Sequence, residues 1–260
     1  MPALSAPLAP RLAALIRRER QTRFSGGALG YLWAYLTPLV WIAFVVLMFR
    51  FMNRAAPIAT APQIFVATGI LPYVLFRQTI TALMRTVIAN RYLLYFRPTT
   101  NAEILTAAAL LELLNLAVTA TLIFGLITLL YDVALPPNPL KVILGMTLAW
   151  GLGAGLGRFA AVLGQWSDSF ARAVPLALRP VFWISGVFYT ASELPGAAQD
   201  LLAYSPLFHA VELIREGFFL GYASPISSAF YPAAVAAAFF LLSLLIERHV
   251  QATHKARHRI

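Results

Sequence analysis

Residues 104–130 read ILTAAALLELLNLAVTATLIFGLITLL, an apolar run in which Glu112 is the one charged side chain. A helix of about 20 apolar residues crosses the hydrocarbon core of a bilayer. Five other long apolar stretches occur, at 31–49, 63–83, 140–164, 174–192 and 229–246. Lipid offers the backbone no hydrogen bonds, and continuous apolar runs lack the alternation of a transmembrane β-strand. The sequence therefore predicts an all-α integral membrane protein with six transmembrane helices.

The composition supports a membrane location. The chain is 60% hydrophobic and 12% charged, whereas soluble domains are roughly 45–50% apolar and about 25% charged. It contains no cysteine, which excludes disulfides and thiolate metal sites.

The basic residues give the orientation. The formal net charge is +10, and arginines concentrate before the first apolar stretch, after the second, after the fourth and after the sixth. Basic residues remain on the cytoplasmic side of a membrane protein, so both termini are predicted to be cytoplasmic. No nucleic-acid-binding motif accompanies this charge, and we expect no nucleic-acid partner.

The chain divides into three predicted parts. Residues 1–28 form a cytoplasmic N-terminus, residues 29–247 the transmembrane domain, and residues 248–260 a basic cytoplasmic tail. An amphipathic helix in the first part, lying at the membrane interface, is indicated by apolar residues at i, i+4, i+7 and i+8. These are Leu8, Leu12, Leu15 and Ile16.

The longest cytoplasmic break covers residues 84–98. It mixes basic, aromatic and leucine side chains before Pro98, and the residue that precedes a proline is disfavoured in a helix. The segment is too apolar for a flexible linker, so we predict a short amphipathic helix on the cytoplasmic face.

Residues 193–228 are predicted to be extracytoplasmic. Their apolar segments of around ten residues are too short to span a bilayer. Breaks at Pro195, Pro206 and Gly221 predict two short re-entrant helices.

Three polar residues of this re-entrant segment lie on one helical face at i+3 spacing, namely His209, Glu212 and Arg215. We favour a local ion pair that stabilises the segment over a catalytic role.

Polar and small residues inside the spans suggest close helix contacts. Glu112 either lines a pore or joins two helices through a hydrogen bond. Pro175 and Pro180 predict a kinked or interrupted fifth helix, in which Arg179 extends to the interface or meets an anion. Small residues at i+4 spacing in the fourth span predict a ridge that another helix approaches closely. They are Gly145, Ala149, Gly153 and Gly157.

Common catalytic motifs are absent from the sequence. There is no G-x-x-x-x-G-K-[ST] phosphate loop, no H-E-x-x-H metal motif and no G-x-S-x-G nucleophile turn. The sequence predicts a conduit that is not itself an enzyme, binds no cofactor or metal, and takes its energy from another chain.

Several motifs along the chain resemble the permease subunit of bacterial ABC-2-type exporters, in particular those that export capsular polysaccharide. The motifs are RRERQTRFSGGALGYLWAYLTP at 17–38, GILPYVLF at 69–76, LLYFRPTTNAEILTAAALLE at 93–112, LRPVFWISGVFY at 178–189, ELP at 193–195 and SPLFHAVELIREGFFLGY at 205–222. Their order, together with the six spans, makes the resemblance more specific than any one motif.

The resemblance implies a location and a set of partners. The chain is expected in the bacterial inner membrane as a homodimer joined to two ATPase subunits, which hold ATP and magnesium. Its cargo would be a lipid-linked polysaccharide moved from cytoplasm to periplasm. A periplasmic co-polymerase or adaptor would lead to an outer-membrane channel.

The resemblance also suggests two sets of site residues. Segment 84–98 would match the coupling helix that docks in the ATPase, and the candidates for this contact are Arg17, Arg20, Arg23, Phe24, Asn90, Arg91, Tyr92, Tyr95, Phe96 and Arg97. Candidates for the substrate path are Tyr31, Trp33, Glu112, Arg179, Phe182, Trp183 and Tyr189. For the aromatic candidates, a lipid-facing belt or helix packing is an equal alternative.

Other functions stay open at this point. The cargo could be an O-antigen, a teichoic acid or a drug-like lipid. A membrane-embedded lipid or sugar transferase would require clustered acidic residues, and a secondary transporter would show internal repeats. Neither feature is evident in the sequence.

Overall fold

A computed structural model describes residues 8–23, 28–58, 61–90 and 100–257 of the chain, with side chains over 9–21, 36–58, 61–90 and 100–248. The described residues form α-helices and one short 3-10 helix, Ala191–Glu193, and contain no strand. The α-helices are α1 Leu8–Arg23, α2 Ala28–Phe51, α3 Pro62–Ala89, α4 Asn101–Tyr131, α5 Pro139–Gly164, α6 Asp168–Ile184, α7 Gly196–Leu202, α8 Pro206–Phe218 and α9 Phe230–Arg257.

Polar residues cap the first turn of α4, α5 and α6. The Thr100 hydroxyl accepts a hydrogen bond from the Glu103 amide, and the Glu103 carboxylate accepts one from the Thr100 amide, which forms a capping box at the start of α4. The side chain of Asn138 caps α5, and that of Ser167 caps α6. Each cap satisfies amide groups that the first turn of a helix leaves without a partner.

Helices α3 and α5 form the centre of the bundle. Most of α3 is buried, whereas α4 and α9 bury one face each. α5 packs against α3, α8 and α9, so it contacts three neighbours along its length. A shared central helix therefore positions α3, α8 and α9 relative to one another.

The small-residue ridge predicted on α5 is confirmed. A Cβ atom added at Gly153 would lie 2.8 Å from the Phe76 carbonyl oxygen of α3, and one at Gly145 would lie 2.7 Å from the Ala210 carbonyl oxygen of α8. On the side that faces α9, a Cβ atom at Gly155 would overlap the Ala236 carbonyl oxygen. No side chain fits at these distances, so glycine is required where the backbones meet.

Four described helices are long and apolar enough to cross a membrane, at Pro62–Ala89, Asn101–Tyr131, Pro139–Gly164 and Phe230–Arg248. The shorter apolar segment Leu36–Phe51 belongs to α2. α9 continues as a helix through Arg257, and thus through most of the predicted basic tail.

The predicted boundaries of the fifth span, 174–192, are wrong. α6 begins at Asp168, includes both Pro175 and Pro180 without interruption, and ends at Ile184. The chain then turns at Gly186, whose φ is +79°. The helix ends there because the following backbone is held by a side chain from α8, which is described below.

The predicted cytoplasmic segment 84–98 also requires correction. Residues 84–89 belong to the last turns of α3, which ends at Ala89 with Asn90 as its C-cap. The remaining positions of the segment, from Arg91 onward, lie outside the described residues.

Candidate functional site

An ion pair on α8 has no exposed surface. Arg215 Nη1 lies 3.1 Å from Glu212 Oε1, and both side chains are 0% exposed. The Arg215 guanidinium also lies over the ring of Phe65 on α3, 4.2 Å from its centroid. The ion pair predicted for this face of the helix is therefore present. His209, predicted on the same face, instead makes a 2.8 Å hydrogen bond from Nε2 to the Ala203 carbonyl oxygen.

Arg215 holds the backbone that follows α6. Its Nη2 donates to the Gly186 carbonyl oxygen at 2.5 Å, and its Nη1 donates to the Tyr189 carbonyl oxygen at 2.6 Å. The planar guanidinium donates from two separate nitrogens in a fixed geometry, and it binds two carbonyls and a carboxylate at once. The left-handed conformation of Gly186 directs its carbonyl toward Arg215.

Glu212 holds a second set of groups. Its Oε2 accepts a hydrogen bond from the Tyr222 hydroxyl at 2.5 Å and one from the Ala191 amide at 3.4 Å. Burial, and then the negative charge of Glu212, raise the pKa of the Tyr222 hydroxyl, which stays protonated and donates. Through Glu212, α8 holds both the chain just before α7 and the chain just after α8.

A second polar cluster ties the start of α5 to the end of α8. Lys141 Nζ lies 2.8 Å from Glu216 Oε2. Glu216 Oε1 accepts from the Ser224 amide at 3.1 Å and from the Ser227 hydroxyl. Burial raises the pKa of the Glu216 carboxyl, but the hydrogen bonds from Lys141 and the two serines outweigh burial and leave that pKa below its ordinary value. Sequence reasoning missed this cluster because Lys141 and Glu216 are 75 positions apart.

Aromatic side chains of α2, α3, α6 and the turn after α6 pack together, with Tyr73 and Phe188 buried and Trp41 and Trp183 exposed. The Phe182 ring lies 5.0 Å from the Tyr73 ring and 5.5 Å from the Trp41 ring, centroid to centroid. Trp183 stacks on Phe188 at 5.1 Å and is 61% exposed. We call these five residues the aromatic surface.

The predicted path residues are only partly brought together. Phe182 and Trp183 belong to the aromatic surface, and Tyr189 joins it through a hydrogen bond from its hydroxyl to the Trp183 carbonyl. Arg179 is exposed on α6, and Glu112 is buried in α4, which contributes no ring to this surface. The side chains of Tyr31 and Trp33 lie outside the described part of the chain.

A third polar cluster joins α1 to α3 and α4. Arg11 of α1 lies 2.7 Å from the Glu103 carboxylate, which also caps α4. The Thr86 hydroxyl on α3 donates to Glu19 of α1 at 2.8 Å. α1 therefore contacts both the end of α3 and the start of α4.

The coupling candidates are distributed as follows. Asn90 is buried and donates from Nδ2 to the Thr86 carbonyl at 2.8 Å. Arg17 and Arg20 are exposed on α1. The side chain of Arg23, and all of Phe24, Arg91, Tyr92, Tyr95, Phe96 and Arg97, lie outside what the structure describes.

Within the side chains that are described, no group of three or more histidine, aspartate or glutamate residues is arranged to hold a metal ion. The polar clusters at the two ends of the bundle are instead held together by ion pairs and hydrogen bonds.

Comparison with known proteins assigns the family. The profile of the ABC-2 type transporter family matches residues 10–219, which run from α1 through the end of α8 and include the buried ion pair. The chain belongs to the ABC-2 type transporter family.

Its relatives include inner-membrane proteins of capsule export. It is 30% identical over 212 residues to the polysialic acid transport protein KpsM of Escherichia coli, a match that covers 81% of this chain and 82% of KpsM. It is 28% identical over 211 residues to the capsule polysaccharide export inner-membrane protein BexB of Haemophilus influenzae, covering 79% and 78%. The corresponding protein CtrC of Neisseria meningitidis is 24% identical over 208 residues, covering 80% and 78%.

Proposed function

We propose that this chain is the membrane-spanning subunit of an ATP-driven exporter that moves lipid-linked capsular polysaccharide from the cytoplasm to the periplasm across the bacterial inner membrane. The observation that carries this proposal is the similarity to KpsM, BexB and CtrC over about four fifths of the chain. The long apolar helices of the bundle agree with a multi-pass inner-membrane protein.

In this proposal six helices cross the membrane, namely α2, α3, α4, α5, α6 and α9. An even number of crossings leaves both termini on one side, and the distribution of arginines makes that side cytoplasmic. α7 and α8 are too short to cross, at 7 and 13 residues. They form the extracytoplasmic re-entrant segment.

Two copies of the chain act together in this proposal. α6 has a single buried residue, Leu178, and its apolar side chains Leu176, Trp183 and Ile184 are exposed. A helix this poorly covered by its own chain has a free face for a second copy. The aromatic surface shares Trp183 with this face, and aromatic rings there can stack on the C–H faces of sugars as the glycan passes.

The energy comes from two separate ATPase subunits, because the chain has no phosphate loop. ATP and magnesium would be bound there, and this chain would carry no cofactor. A periplasmic adaptor would receive the glycan and pass it to an outer-membrane channel.

Deletion of the gene in its own host tests the proposal. We expect lipid-linked capsular polysaccharide to accumulate inside the cell and surface capsule to be lost, with both restored by the plasmid-borne gene. Accumulation of an O-antigen or a teichoic acid would identify a different cargo. Loss of the glycan itself, without an internal pool, would indicate a transferase and contradict an export role.

A further inference from the structure

A groove of about 280 Å³ lies on the side of the bundle where α4, α5 and α9 meet. Its walls are almost entirely apolar and include Leu105, Ala109, Trp150, Ala154, Ala237 and Phe240. Ala237 and Thr106, which also lines the groove, are exposed, so the groove is open to the surroundings of the bundle. The space exists because α5 presents glycine and alanine there.

One end of the groove carries a buried charged pair. Arg158 of α5 is 3% exposed, and its Nη2 lies 2.7 Å from Glu247 Oε2 of α9. The guanidinium lies over the Phe240 ring, 5.2 Å from its centroid. Arg158 Nε is buried and has no hydrogen-bond partner among the described residues. A buried N–H group without an acceptor is unfavourable, so an acceptor atom in the groove would stabilise this end.

The depth of Arg158 matches a particular layer of the membrane. It lies six residues before the end of α5 at Gly164, which is about 9 Å along the helix axis. The headgroup layer of a bilayer is about 5–7 Å thick on each side. Arg158 would therefore lie just inside that layer, at the level of the glycerol ester groups.

The length of the groove matches one leaflet. From Arg158 to Trp150 the groove extends about 12 Å toward the middle of the bundle. The hydrocarbon of one leaflet is about 15 Å thick. The length of the groove and its apolar walls therefore match one extended acyl chain.

We propose that this groove binds one acyl chain of a membrane glycerophospholipid from the leaflet nearer α1. An ester or phosphate oxygen of that lipid accepts the hydrogen bond from Arg158 Nε. Glu247 already neutralises the charge of Arg158, so the site recognises an oxygen that all glycerophospholipids share and does not select for anionic headgroups. The bound lipid remains with the protein and bridges α4, α5 and α9.

Substitutions that fill the groove test the site. Ala237→Phe and Thr106→Phe fill it from opposite walls, so the test does not depend on the folding of one variant. Ala238→Phe is the matched control, because Ala238 is also exposed on α9 but does not line the groove. Arg158→Lys keeps the charge opposite Glu247 but removes the Nε–H donor.

Phospholipid retained by the full-length protein after transfer into lipid-free detergent is counted by native mass spectrometry. We expect one retained phospholipid per chain in the parent and in Ala238→Phe, and none in either groove-filling variant. Arg158→Lys should weaken retention about fivefold, the change expected for the loss of one hydrogen bond. Phosphatidylethanolamine and phosphatidylglycerol, added back separately, should be retained equally well.

A fluorescence measurement places the chain in the groove. A variant in which Trp150 is the sole tryptophan is reconstituted in phosphatidylglycerol vesicles with dibrominated acyl chains. Quenching of Trp150 should fall with Ala237→Phe and persist with Ala238→Phe. The proposal would be overturned if the filled variants kept phospholipid and Trp150 quenching, or if Ala238→Phe lost them to the same extent. It would also be overturned if phosphatidylglycerol were preferred or if the retained lipid carried a glycan.

Discussion

Arg215 Nη2 donates a 2.5 Å hydrogen bond to the carbonyl oxygen of Gly186, which precedes it by 29 positions and lies just past the end of α6. The same guanidinium binds the Tyr189 carbonyl and the Glu212 carboxylate. A fully buried arginine thus holds the backbone where α6 stops and where the chain turns toward α7. These bonds connect α6 to the segment that follows it. We propose that α6 faces the second copy of the chain and that this segment lies at the exit of the glycan path.

Arg215→Met should destabilise the protein by about 3–5 kcal/mol, because it leaves the buried Glu212 carboxylate without its partner. The measurement is the midpoint of thermal unfolding in detergent. Arg179→Met, at an exposed position on α6, is the control and should change stability by no more than about 0.5 kcal/mol. The double variant Arg215→Met/Glu212→Met should recover part of the loss, and no recovery would contradict the assignment to an uncompensated charge.

Gly186→Ala should destabilise the protein more than Gly221→Ala. Both glycines have a φ of +79°, and alanine in that conformation costs about 1–2 kcal/mol. A Cβ atom at Gly186 would also lie 2.6 Å from Phe208 Cε2, whereas one at Gly221 would have no atom within 4 Å. Overpacking should add about 1–3 kcal/mol at Gly186. Equal thermal midpoints for the two variants would show that the contact with Phe208 relaxes without cost.

The sequence predicts those helices whose ends are set by local signals, such as a change in hydropathy, a proline or a glycine. α4 and α5 agree with the apolar stretches 104–130 and 140–164 to within three residues, because lipid requires continuous apolar helices. α3 covers the stretch 63–83 but continues six residues beyond it. The breaks at Pro195, Pro206 and Gly221 are also found, since proline and glycine act locally. The small-residue ridge on α5 could also be predicted, because it depends on the i+4 spacing of residues within one helix.

The end of α6 was not predictable from local signals. Residues 185–189, SGVFY, are as apolar as the helix before them, and the turn is stabilised by Arg215 from α8. His209 shows the same limit: its spacing places it on the face of Glu212, but its ring reaches the Ala203 carbonyl. Such tertiary contacts depend on how helices pack in space, which the spacing of residues along one helix does not reveal.

The contribution of Glu216 to stability should depend on pH. Its pKa in the folded protein lies below the ordinary value of 4.5, so the ionised form stabilises the fold, and this stabilisation is fully present above about pH 4.5 and lost as the pH falls through the lower folded value. The difference in thermal midpoint between the parent and Glu216→Gln should therefore shrink as the pH is lowered below that range. Lys141→Gln should reduce the same difference, because Lys141 donates to Glu216 at 2.8 Å. A difference that grows at low pH would contradict the sign of the shift.

The orientation can be tested by labelling, since the natural chain contains no cysteine. Ala223→Cys lies between α8 and α9, and Ala89→Cys lies at the end of α3; both positions are exposed. A membrane-impermeant maleimide should label Ala223→Cys in intact spheroplasts and Ala89→Cys only after permeabilisation. The reverse pattern would invert the proposed topology.

The segment between α3 and α4 should carry the contact with the ATPase. Asn90 caps the helix before it and Thr100 caps the helix after it, while α1 contacts both flanking helices through Glu19 and Arg11. A force applied to this segment would reach both α3, which is central in the bundle, and α4. Aromatic and arginine side chains are the usual anchors of a protein interface, and this segment is rich in both.

The double substitution Tyr95→Ala/Phe96→Ala should uncouple export while the protein remains inserted and dimeric. Loss of an anchor typically costs about 2 kcal/mol or more, so ATPase recruitment in a pull-down should fall roughly thirtyfold. Trp166→Ala is the control, because Trp166 is an aromatic residue that is 58% exposed in the loop between α5 and α6 at the same end of the bundle. ATPase recruitment and export by Trp166→Ala should match those of the parent. If the double variant recruits the ATPase and exports normally, the contact lies elsewhere. The exposed Arg17 and Arg20 of α1 then become the residues to substitute next, since α1 lies beside the same helix ends.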